Sequence, residues 1–176
     1  LNLNGGGFTV RQAATCNNQY ALFDITGGKV TINNVIFDGI KGGAVVRTVN
    51  TEFVMDNVTA QNCEHTQIQG LFRLYGKNTI KNSTFKNNNC TMLVTLNFDG
   101  ESETPQLVDN CLFENNTCNG TAVLYYVKGE SCTLTNNEFI DNNVNCNGNG
   151  ATVYMGFTED NVITGNLFKY NVVTDA

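Results

Sequence analysis

Short apolar strands broken by asparagine recur along this chain at intervals of 23 to 29 residues. The clearest copy is 107–116, Leu-Val-Asp-Asn-Cys-Leu-Phe-Glu-Asn-Asn: a strand, a turning Asn110, a second strand ending in Phe113, and an Asn-rich exit. Aligned at the aromatic position, it returns as 32–37, 55–60, 80–85, 134–139 and 163–168. An elastic period of this size indicates a solenoid, each unit being one turn of a coil with a loop of variable length. A third strand accompanies these pairs, first at 21–25 and then at 44–49, 70–75, 92–97, 122–127 and 151–156. Five or six residues of alternating character suit a strand and are too short for a helix, and no segment reads as helical.

Stacking equivalent positions turns the pattern into columns. The bend column holds Asn34, Asn57, Asn82, Asn110, Asn136 and Gly165. Asn and Gly enter left-handed backbone geometry at low cost, so the column selects a backbone angle. At the strand spacing of about 4.8 Å its side chains can also hydrogen-bond from one turn to the next. Phe37, Phe85, Phe113, Phe139 and Phe168 predict an interior stack, with Ala60 leaving its level underfilled unless Phe72 or Leu71 leans in.

Alternation along the third strand points Phe23, Val46, Phe72, Val94, Leu124 and Val153 inward, with Ile25, Thr48, Leu74, Leu96, Tyr126 and Met155 beside them. The same alternation places Leu22, Val45, Leu71, Leu93, Val123 and Thr152 outside, giving an unusually apolar outer face. Asp24, Arg47, Arg73, Thr95, Tyr125 and Tyr154 form the second outward column. The predicted fold is all-β: a three-sided, right-handed parallel β-helix, a pectin-lyase-like solenoid of about six coils. Residues 1–176 read as one domain and as a piece of something longer, 1–28 being a first partial coil or cap and 29–176 the repeating coils. The coil ends would be adhesive edges.

Composition narrows the function classes. With 41% hydrophobic and 15% charged residues the chain is neither disordered by charge nor membrane-spanning. A net charge of -6 with scattered basic residues argues against a nucleic-acid partner. Seven cysteines in 176 residues point towards an oxidising compartment, and the odd count leaves at least one thiol unpaired within the chain. No signal-peptide pattern opens the chain at Leu1, which is compatible with a targeting segment already removed.

Phe-x-x-Asn occurs at Phe85 with Asn88, Phe113 with Asn116, Phe139 with Asn142 and Phe168 with Asn171. Gly42-Gly43-Ala44-Val45 occurs once, with looser versions at Gly120-Thr-Ala-Val123 and Gly150-Ala-Thr-Val153. Together these resemble the repeat of the chlamydial polymorphic membrane proteins, whose units combine FxxN with GGA[ILV]. The units around Phe37 and Ala60 depart from it. The resemblance implies a secreted or surface-displayed β-helical passenger, of the autotransporter kind, acting in adhesion.

Candidate chemistry is sparse. Cys16, Cys63, Cys90, Cys118 and Cys146 fall in one loop of successive units, where neighbours on adjacent turns come within disulfide range. Cys63 with Cys90 and Cys118 with Cys146 uses four of them, Cys90 with Cys118 is the best matched single pair, and a file of buried thiols is the plain alternative. Without a CxxC and with His65 as the one histidine, a metal site is not expected, nor is any cofactor. The column of Asp24, Arg47, Arg73, Tyr125 and Tyr154 reads either as a recognition stripe for a protein or acidic glycan or as ordinary solvated side chains. Asp99, Glu101 and Glu103 resemble the opening of a calcium loop, but Asn110 stands where a bidentate Glu is wanted, so an acidic solvated loop is expected. Of the sequons at Asn57, Asn82, Asn89, Asn115 and Asn119, the loop positions Asn89 and Asn119 suit a glycan best.

No facing carboxylate pair, Gly-His-Gly, Asp-Asp or Arg-x-Lys segment marks a polysaccharide-cleaving site, and no nucleophile has an evident base. The expected function is a non-enzymatic extracellular or cell-surface module, adhesin-like, presenting a strand face to a host or neighbouring surface protein or glycan. The alternatives are a structural subunit of a surface fibre, self-associating through coil ends or the third-strand face, and a carbohydrate-active lyase or hydrolase.

Overall fold

The computed structural model describes residues 1–12, 20–65, 70–97, 104–146 and 150–175, and they wind into a parallel β-solenoid of about six turns without a helix. Cys16 and the acidic residues Asp99, Glu101 and Glu103 lie outside the described residues. Every strand pairing among the described residues is parallel, and equivalent residues of successive turns face one another in register. Phe113 pairs with Phe85 and with Phe139, which pairs with Phe168. Their rings stack at 4.8, 4.6 and 4.9 Å with interplanar angles of 6°, 3° and 2°. Near-parallel stacking at this distance is imposed by the rung spacing of about 4.8 Å rather than by ring electrostatics. At the Ala60 level, between Phe37 and Phe85, the Phe72 ring comes edge-on against Phe85 with centroids 5.4 Å apart.

The turn is more finely divided than three strands. A fourth segment of two to four residues (Glu64–His65, Asn89–Cys90, Thr117–Cys118, Asn143–Cys146 and Val172–Asp175) builds its own five-stranded sheet. Two columns of left-handed residues create the corners. The first is the Asn34-to-Gly165 column, with φ between 50 and 70° throughout. The second sits five residues later at Gly39, Asn62, Asn87, Asn115, Asp141 and Tyr170, with φ from 50 to 70°. A left-handed corner turns the next side chain inward, and these next residues carry the surprise of the core. They are apolar early in the chain (Val35, Ile40, Val58, Cys63), Ser83 and Cys111 on the next two turns of the first corner, and asparagine elsewhere (Asn88, Asn116, Asn137, Asn142).

The buried asparagines hydrogen-bond along the axis. Asn88 Nδ2 donates to Asn116 Oδ1 at 2.9 Å, Asn116 to Asn142 at 2.9 Å, and Asn142 to Asn171 at 2.8 Å. The other amide hydrogen of each goes to a main-chain carbonyl of an earlier rung, as from Asn116 to Phe85 and from Asn142 to Phe113. A shorter ladder runs through Asn137 and Asn166 at the first corner. The Phe-x-x-Asn repeat is thus a structural unit: the Phe joins the ring stack and the Asn joins the interior ladder.

Candidate binding face

The third-strand face is built by Ala21–Thr26, the opening parts of Ala44–Asp56 and Phe72–Lys81, and Val94–Leu96, Ala122–Gly129 and Ala151–Thr158. Register places Asp24 against Arg47, Arg47 against Arg73, Arg73 against Thr95, Thr95 against Tyr125, and Tyr125 against Tyr154. The column read from alternation is therefore continuous over six rungs. Its inner counterpart, from Val46 to Leu124, is fully buried as expected.

Chemically the column has two halves. At one end Arg47 donates to Asp24 at 2.7 Å, an exposed pair worth a few tenths of a kcal/mol up to about 1 kcal/mol. At the other, Tyr125 and Tyr154 stack with centroids 4.9 Å apart and planes inclined by 12°. Burial, then the neighbouring Tyr154, pushes the Tyr125 hydroxyl above its ordinary value. Burial also holds the Arg73 guanidinium below its own, with the Arg47 charge adding to the effect. Thr95, between the halves, is fully buried and donates to the Phe72 carbonyl at 3.2 Å. The stripe is exposed at Asp24, half-buried at its arginines and tyrosines, and covered at Thr95.

The apolar outer face predicted beside it is not there. Val45, Leu71, Leu93 and Val123 are fully buried and belong to the same hydrophobic cluster as the interior. Alternation fails because this position lies at the corner into the third strand, where the register runs from Ala44 directly to Val46 and from Ala122 directly to Leu124. Period-two reasoning holds only on the regular pleat. Leu22, at 39% exposure, is the member that stays outside.

The cysteines fall out differently from the even file expected. All six described cysteines are free and buried. Cys90 and Cys118 are register partners with Sγ atoms 3.9 Å apart. Cys63 instead aligns with Asn88, whose Oδ1 accepts its main-chain N–H at 3.0 Å, and Cys146 pairs with Asp175. Counting from the Phe places Cys90 and Cys118 alike, but Cys63 sits two residues nearer the corner and Cys146 two residues beyond. The rung neighbour of Cys90 on the other side is His65. Its Nδ1 lies 2.9 Å from the Gly42 carbonyl, which can only accept, so the proton sits on Nδ1. Nε2 is buried and unpartnered. Burial holds this imidazole below its ordinary pKa. Among the described residues no three His, Cys, Asp or Glu side chains converge as a metal set.

Asn89 and Asn119 are exposed on the outer side of the short-strand sheet. Asn119 donates to Asn89 at 3.0 Å and accepts from Asn145 at 3.0 Å. Asn57 and Asn82 spend their amides on the surface ladder of the first corner. A groove of about 170 Å³ runs along that corner between Asn82, Asn110, Asn136, Thr84, Leu112 and Glu138. It offers one carboxylate, where glycoside hydrolysis calls for two.

The chain matches the family described as right handed beta helix region over residues 21–174. It belongs to that family. No curated protein and no solved structure matches it. A right-handed β-helix holds its rungs rigidly in register and leaves chemistry to side chains that point off its faces, so membership fixes the scaffold and not the activity.

Proposed function

We propose that this β-helix is a non-enzymatic extracellular or cell-surface module that binds a partner protein or an acidic glycan through its third-strand face. The observation carrying this reading is the in-register column from Asp24 to Tyr154, which sets an arginine pair and a tyrosine pair on one rigid sheet. Arg and Tyr are enriched where protein surfaces bind, and a rigid sheet spares the partner the entropy of ordering them. Resemblance of the FxxN and GGA[ILV] units to surface-displayed passengers supports the adhesin-like setting. Among the described residues, the carboxylate in the column, Asp24, is tied to Arg47, and no second carboxylate in the column opposes it as a glycosidase would need.

The test is a glycan and surface-protein binding screen with the wild type and with Arg47→Ala/Tyr154→Ala. Both residues are half-buried, so the variant should keep its circular dichroism spectrum while losing at least tenfold in affinity. Equal binding by the two proteins retires the stripe, and cleavage of any screened polysaccharide overturns the non-enzymatic reading.

A further inference from the structure

We propose that Cys90 and Cys118 are a modification site: a dithiol that closes into a reversible disulfide between two neighbouring rungs. It stands independently of the binding face. The two residues face one another in register across the short-strand sheet, their Sγ atoms are 3.9 Å apart, and both are buried. Cys63, Cys111, Cys132 and Cys146 sit in other columns, so among the described residues neither thiol has a rival at its own level. Cys63 is opposite Asn88, Cys132 opposite Gln106, Cys146 opposite Asp175, and the Cys111 N–H donates to Asn137.

Parallel register partners have Cα atoms about 4.8 Å apart, inside the 4.4 to 6.8 Å a disulfide accepts. Their Cβ atoms are about as far apart, slightly beyond the usual 3.5 to 4.5 Å. The bond therefore closes with some strain, and strain makes a disulfide easier to reduce. That combination favours a bond that opens and closes over a permanent staple.

The chemistry is thiol–disulfide exchange with a small disulfide oxidant such as oxidised glutathione. One cysteine thiolate attacks the oxidant's sulfur and releases a glutathione thiolate. The second cysteine thiolate then displaces the other glutathione as the Sγ–Sγ bond forms. Two protein S–H bonds are lost, the oxidant's S–S bond is broken, and the two electrons and two protons leave on two reduced glutathiones. The bond would pin the corner that leads into Ala122–Gly129, just ahead of Tyr125. Gly120 already packs there so closely that an added Cβ would lie 2.5 Å from the Thr91 carbonyl oxygen.

The experiment refolds the full chain from urea in buffers dominated by oxidised or by reduced glutathione, so that burial does not limit access. Free thiols are then alkylated under denaturing conditions, and the chain is cut after Asp and Glu. Such cleavage separates Cys90, Cys111 and Cys118 onto different peptides, and mass spectrometry reads the cross-links. The expected result is a Cys90–Cys118 peptide pair from the oxidised sample and a melting temperature roughly 4 to 8 °C above that of the reduced one. That shift is the gain from closing a 28-residue separation less the strain. Excess reduced glutathione should reopen the bond, and Cys118→Ser should abolish the thermal shift. Full alkylation of Cys90 and Cys118 after oxidation, linkage of Cys90 to another cysteine, a bond that resists reduced glutathione, or an oxidative shift that survives Cys118→Ser would each overturn the proposal.

Discussion

Replacing Asn116 with alanine tests whether the interior ladder or the ring stack carries the cohesion of the central rungs. The Asn116 amide donates to the Phe85 carbonyl and to Asn142 Oδ1, each at 2.9 Å. Its oxygen accepts from the Asn88 main-chain N–H at 3.1 Å and from Asn88 Nδ2 at 2.9 Å. Truncation at Cβ strands both Asn88 donors in a site where Asn88 and Asn116 are 2% and 1% exposed. A buried donor left without a partner costs about 1 to 3 kcal/mol, so the pair amounts to roughly 2 to 6 kcal/mol. Asn142 Oδ1 loses less, because it keeps the Asn116 main-chain N–H at 3.1 Å.

The control is the adjacent Asn115→Ala, which removes an exposed amide bond to Asn87 and puts alanine at φ 50°. It should cost about 1 to 2 kcal/mol, the penalty for a left-handed non-glycine residue. Urea unfolding followed by far-ultraviolet circular dichroism gives both numbers from the midpoint and slope. Because each rung of a solenoid touches only its neighbours, Asn116→Ala should also speed amide exchange at the Asn88 and Asn142 levels before distant ones. If Asn116→Ala costs no more than Asn115→Ala, the ladder is not a source of cohesion and the argument fails.

Two further outcomes follow from single residues. His65 is buried with its pKa lowered, so the unfolded chain binds a proton there that the folded one does not. Stability is then full above pH about 6.5 and falls as pH drops below it, by up to about 1.4 kcal/mol per unit; urea midpoints at pH 7.5 and 5.5 for the wild type and His65→Gln should differ in slope, and identical slopes would refute the assignment. Gly76 has φ 126°, and an added Cβ would run into the Thr51 main chain, so Gly76→Ala should lose at least about 2 kcal/mol by thermal melting, and a neutral result would contradict the close approach.

The coil, its rung positions, the Phe stack and the stripe were legible because each rests on a period. Alternation places Val45, Leu71, Leu93 and Val123 outside, whereas a corner interrupts the pleat there and buries them, and a corner leaves no trace in alternation. The second left-handed column is not legible in the sequence because it mixes Gly39, four amide or acid residues and Tyr170, so composition does not announce it. The Asn of Phe-x-x-Asn was visible as a repeat, yet nothing in a polar residue type says that it faces inward. Cys63 and Cys146 lie off the register of Cys90 and Cys118 by an offset: counting in sequence ignores that loops enter the short sheet at different residues, whereas Cys90 and Cys118 share their count from the Phe and also their register.

Along the first two strands and corners the side chains answer to the rungs above and below, and neighbours are chosen to match: Lys29 meets Glu52, Lys41 meets Glu64, and Asp56 meets Lys81, each at register positions. Such matching is self-satisfying and leaves little for a ligand. On the third strand Arg47 meets Asp24 on one side and Arg73 on the other, and a buried Thr95 meets Tyr125. Like charges at rung spacing repel, and a lattice that elsewhere pairs opposites would gain by replacing one of them. That the arginines stand together where the pattern could have opposed them is what favours the proposed recognition on this face over the ladders that hold the coil.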